Sequence, residues 1–123
     1  MLTKLVTLLF IIAGLIHLLP SAGFFGGDSF HGLYGLNVVD VNLDIILRHR
    51  AVLFFLLGMF LVVAGFVTKI QWPVGIAGMV SALSFIVLAY WLGDYNVQLA
   101  RVVAFDWLAV GSLSIALMIR LMK

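Results

Sequence analysis

With 123 residues, 65% of them hydrophobic and only 10% charged, the chain has more apolar surface than a soluble domain of this size can hide, and it reads as one integral membrane domain. A net charge of +2 gives no argument for a nucleic-acid partner, and the absence of cysteine excludes disulfides, thiolate metal sites and cysteine redox chemistry.

Four stretches reach the roughly 20 apolar residues that cross a hydrocarbon core: about 2–19, 47–68, 72–92 and 99–122. The first has some features of a secretory leader, with Lys4 before an apolar run and the small Ser21, Ala22 and Gly23 after it. It is read instead as a retained helix that Pro20 ends. The connection from Pro20 to Ile46 is long for a helical bundle. Within it, Asp28 and Ser29 can cap a short interfacial helix through Tyr34, which Gly35 would stop. Asp40, Asp44 and Arg48 then recur every fourth residue and share a helical face, as an extension of the second span would require. The next connection is tight, at Lys69 to Gln71, with Pro73 in the first turn of the third span, where its missing N–H costs nothing. Gly93 to Gln98 makes the last one. Short connections make sequential helices antiparallel neighbours, so the expected fold is an all-α, up-down-up-down four-helix membrane bundle.

Charge is segregated along the bundle axis. Lys4, Lys69, Arg120 and Lys123 fall at one end without an acid, while all five aspartates, the three histidines and Arg48, Arg50 and Arg101 fall toward the other. By the positive-inside rule the acid-free end, with both termini, is cytoplasmic.

Asp106 stands out because the uncharged run after it, Trp107 to Ile119, is too short to span, which puts the carboxylate inside the bilayer. Such a group is expensive and should face a partner. Arg101, five positions away, is about 140° around the helix, so the expected partners are His17 or Arg50 from other helices, with Arg48 as a further choice. Counted from the basic residue at the acid-free end of each helix, His17, Ser84 and Asp106 lie at one depth, roughly 20 Å up. Several readings fit this layer. One is a polar cluster that fixes helix register, including Ser84, Asp40 and Asp44. A second is a small-molecule or proton site drawn from His17, Arg48, His49, Arg50, Arg101 and Asp106. A Ser-His-Asp triad would need a nucleophile elbow or an oxyanion hole, and neither motif is visible. His17, His31 and His49 match no metal-ligand spacing, so no catalytic residue, metal or cofactor is assigned.

Small residues four apart, Gly78/Ala82, Ala77/Ser81 and Ser112/Ala116, together with Gly58 and Gly65, would let helices approach closely. Trp72, Tyr90, Trp91, Tyr95 and Trp107 fall at the interfaces, as aromatic belts do.

The segments Ile16-His17-Leu18-Leu19-Pro20, Leu33-Tyr34-Gly35 and Leu47-Arg48-His49-Arg50-Ala51-Val52-Leu53-Phe54 resemble an uncharacterised family of small bacterial four-helix inner-membrane proteins, broadly similar to the DoxX-like group. The resemblance implies a bacterial inner-membrane location and an association with membrane redox or quinone-linked complexes; it assigns no catalytic residue. Two functions follow as expectations. One is an accessory or assembly subunit, using its small-residue faces against a larger membrane partner or a second copy. The other is a protein that binds a quinone, lipid or other amphiphile in the half of the bundle that carries the aspartates.

Overall fold

The computed structural model describes residues 1–123. It is all-α: α1 (Leu2–Leu18) runs on into a 3₁₀ segment (Leu19–Phe25), and α2 (Asp28–Tyr34), α3 (Val41–Ala64), a 3₁₀ turn (Thr68–Ile70), α4 (Gln71–Leu92) and α5 (Val97–Met122) follow. Four of these segments, Leu2–Phe25, Val41–Ala64, Thr68–Leu92 and Val97–Met122, are long and apolar enough to cross a membrane. The helices form an antiparallel ring in which α1 packs on α3 and α5, and α4 packs on the same two. α1 and α4 therefore stand on a diagonal.

The core is built as membrane helices require. With lipid as apolar as the helices themselves, close backbone approach and packing contacts hold the bundle together. The buried set accordingly mixes Ala13, Ala64, Ala82, Ala109 and Ala116 with Val6, Phe10, Ile16, Leu61, Leu113 and Ile119. The tightest crossing is between α1 and α3. A methyl group added at Gly14 would sit 2.9 Å from the Gly58 carbonyl oxygen, and one at Gly58 would sit 3.0 Å from the Gly14 oxygen. Gly78 meets Leu61 and Leu113 in the same way, and Ala82, Ser112 and Ala116 are buried, whereas Ala77 is exposed. Outward, Leu8, Leu15, Phe55, Phe60, Val80, Val87, Leu108, Ile115 and Met118 form the apolar surface a bilayer covers.

Several boundaries differ from the sequence-based expectation for identifiable reasons. α3 begins at Val41, ahead of the apolar span at 47, as the extension expected from the Asp40, Asp44 and Arg48 spacing, and the Asp40 carboxylate accepts the Asn42 N–H at 2.8 Å and caps it there. It ends at Ala64 rather than 68: Gly65 is its C-cap, and Val67 has turned extended. α5 begins at Val97 because the Asn96 side chain accepts the Leu99 N–H at 2.8 Å. The short helix is present through Tyr34 and closed by Gly35 in the left-handed region (φ 67°), but its N-cap is Gly27 and Asp28 is already helical.

Candidate functional site

The polar residues that share one end of the bundle divide among different tasks. Asp40 caps α3. Arg48 donates through Nε to the Asp44 carboxylate at 2.8 Å and through Nη1 to the Phe24 carbonyl at 2.9 Å, tying the start of α3 to the 3₁₀ segment after α1. His49 and His31 are exposed. Ser84 is also exposed, and its hydroxyl donates to the Ser81 carbonyl at 2.9 Å. Ser84 does not join His17 or Asp106 in a polar cluster: α4 stands diagonally across from α1, which carries His17, and although α4 packs on α5, Ser84 is on its exposed, outward face.

His17 is almost fully buried, at 2% exposure. Its Nδ1–H donates to the Ala13 carbonyl at 2.8 Å, and Nε2 is buried without a protein partner. The ring lies 6.1 Å from that of Phe54.

Arg50 is held by aromatic faces rather than by a carboxylate. Its guanidinium carbon is 4.7 Å from the ring centroid of Phe54, 5.3 Å from that of Tyr34 and 5.6 Å from that of Phe85, within the range where ring quadrupoles attract a cation. It opens on a hollow of about 260 Å³ between α3 and α4, with Leu53, Leu57 and Ser81. Asp106 makes no direct hydrogen bond or ion pair with His17, Arg48 or Arg50: the bundle contains one ion pair, Arg48 with Asp44. Arg48 is taken by Asp44, and the three rings hold the Arg50 head where it lies.

Asp106 instead lines a cavity of about 340 Å³ bounded by α1, α2 and α5. Ile16, Leu19, Pro20 and Leu33 make apolar walls, and one stripe of α5 supplies Gln98, Arg101, Val102, Phe105 and Asp106. These fall at i, i+3, i+4, i+7 and i+8, a single helical face. Arg101 and Asp106 thus border one space without pairing. Tyr34, at 4% exposure, completes the lining from α2. Burial pushes the Tyr34 phenol up from its ordinary value; the nearby Arg50 guanidinium opposes the shift and Asp106 adds to it. Tyr34 is therefore within electrostatic reach of both charges. The α2 roof is fastened by Asn96, whose amide donates to the Tyr34 carbonyl at 2.7 Å while its oxygen caps α5.

Gln98, Asn96 and Phe85 take part without a sequence signal, and Tyr34, which the sequence marks only as the end of the short helix and within a resembling segment, takes part as a lining residue. The α5 stripe was visible as a period once Arg101 and Asp106 were considered as lining residues rather than as a pair. Tyr34 and Phe85 had no such signal, since α2 and α4 reach Arg50 only through tertiary packing. Chemically, the cavity offers donors at Arg101 and Gln98, a carboxyl at Asp106 and apolar walls for a chain. Comparison with protein-family models, curated proteins and solved structures finds no match to this chain.

Proposed function

We propose that this multi-pass membrane protein binds an amphiphile whose polar head enters the cavity at Asp106, and that it belongs to the DoxX-like group in a bacterial inner membrane with both termini cytoplasmic. The observation that carries the reading is the cavity itself: a mostly apolar space between α1, α2 and α5, with Gln98, Arg101 and Asp106 on one face of α5. Binding sites for small molecules are commonly of this kind, apolar with a few convergent polar groups. A head with carbonyl or hydroxyl oxygens, as in a quinone or a lipid ester, can accept from Arg101 and Gln98, and a hydroxyl can donate to Asp106. The tail lies along Leu19, Leu33 and Phe105.

The test is binding of a short-chain benzoquinone and of a monoacylglycerol, a lipid ester with free hydroxyls, to the detergent-solubilised protein, compared with Asp106→Asn and with Leu33→Trp, which fills the cavity. Losing one charge-assisted hydrogen bond should weaken binding of a hydroxyl-bearing head roughly tenfold or more, and the tryptophan should abolish binding of both probes. Equal binding by parent and Leu33→Trp would remove the proposal. Recovery of a stoichiometric membrane partner with no cavity ligand would favour the accessory-subunit function instead.

A further inference from the structure

The end of the bundle away from the cavity carries Lys4, Lys69, Arg120 and Lys123 and no acidic side chain. Two hydrogen bonds gather these cations. Lys123 Nζ donates to Thr3 Oγ1 at 2.8 Å, bringing the end of α5 onto the start of α1. Thr7 Oγ1 donates to the Gly65 carbonyl at 2.6 Å, bringing α1 onto the turn that presents Lys69. None of the four cations has a carboxylate partner.

Beneath this rim are two polar atoms that lack partners. Gln71, at the first turn of α4, is 2% exposed, and its Oε1 is buried and unpaired; the Nε of half-buried Arg120 is also buried and unpaired. They share a level. Gly75 faces Leu117 and Gly78 faces Leu113 across the antiparallel α4–α5 seam, and extending that register toward the helix ends brings Gln71 level with Arg120. Buried polar groups are nearly always satisfied, so an unmatched acceptor and an unmatched cationic donor in one layer point to a missing group that both accepts and donates.

We propose that this layer seats the headgroup of an anionic glycerophospholipid bearing a free hydroxyl. Its phosphate oxygens would accept from the Arg120 guanidinium, whose planar fork matches them, and a glycerol hydroxyl would donate to Gln71 Oε1. Lys4, Lys69 and Lys123, at the same acid-free end of the bundle, would draw the lipid from an anionic leaflet. A zwitterionic choline headgroup meets the same phosphate requirement but adds a cation to an uncompensated cationic rim, and it has no donor for Gln71.

Native mass spectrometry of the full chain from detergent, with phosphatidylglycerol, phosphatidic acid and phosphatidylcholine of identical acyl chains, reads the site. The parent should hold one phosphatidylglycerol about tenfold or more tighter than phosphatidylcholine, as one added charge-assisted contact implies. Arg120→Gln should erase that preference, and Arg120→Lys should keep only part of it. Gln71→Leu should bring phosphatidylglycerol down to the level of phosphatidic acid while leaving both above phosphatidylcholine. If Arg120→Gln does not fold, exposed Lys69→Gln and Lys123→Gln together supply the charge test and should each lower the preference by a few-fold. Equal retention of anionic and choline lipids by the parent, or full preference in the Arg120 or paired lysine variants, would overturn the proposal. Displacement of bound phosphatidylglycerol by millimolar inorganic phosphate alone would assign the seat to free phosphate and overturn the lipid assignment.

Discussion

At the scale of single residues, the charges of the polar half stand unpaired apart from Arg48 and Asp44. Asp106 has no partner whose loss would strand a buried cation, so Asp106→Asn should leave the detergent melting temperature unchanged or slightly raised, because a half-buried carboxylate is replaced by a neutral group of the same shape. A drop of several degrees would indicate an ion pair. Arg50 behaves differently. Arg50→Lys keeps the charge but loses the flat face stacked near Phe54, Tyr34 and Phe85, and should cost about 1 kcal/mol on the scale of cation–π contacts; chemical denaturation in mixed micelles measures it. For Tyr34 the pH sign follows from its raised phenol. The folded protein holds that proton more tightly than the unfolded chain, so the contribution is fully present below about pH 10, the unfolded value, and is lost as pH rises through the folded value. Relative to Tyr34→Phe, the parent should therefore lose stability at alkaline pH, while near neutrality the difference in melting temperature between the two proteins should not change with pH.

At the scale of elements, Asn96 is the joint between the roof of the cavity and its wall. Its side chain both caps α5 and holds the α2 carbonyl of Tyr34. Asn96→Asp keeps the cap acceptor and loses the donor, so α2 amides should exchange faster while those at the start of α5 stay protected. Asn96→Ala should free both, at a cost of about 1–3 kcal/mol for one cap and one hydrogen bond. Hydrogen exchange resolved to these helices distinguishes the two variants. The α1–α3 crossing is the other sensitive joint. Gly58→Ala places a methyl group against the Gly14 carbonyl and the Leu18 side chain; backbone cannot yield as a side-chain tip can, so overpacking of about 1–3 kcal/mol is expected.

At the scale of the whole molecule, the separation of charge between the two ends governs how the bundle sits in a membrane. With the acid-free end cytoplasmic, a reporter active only outside the cytoplasm should be active when fused after Asp28 and silent when fused after Lys69. The opposite pattern would invert the orientation, and the lipid seat at Arg120 would then face the other leaflet.

Hydropathy, loop length and charge were enough to define four antiparallel spans, the short α2 ended by Gly35 and the two ends of differing charge, because each depends on local spacing or on transfer of side chains from water. Rotation of one helix against another is different, since it depends on which small residues meet. The crossing of Gly14 with Gly58 and the diagonal of α1 and α4 turned Ser84 outward, held Arg50 among three rings and left Asp106 on a cavity wall. A sequence lists which charges share a layer. Only packing decides which of them touch, because in a bundle of near-uniform apolarity the azimuth of each helix is set by steric fit across the interface rather than by an amphipathic stripe.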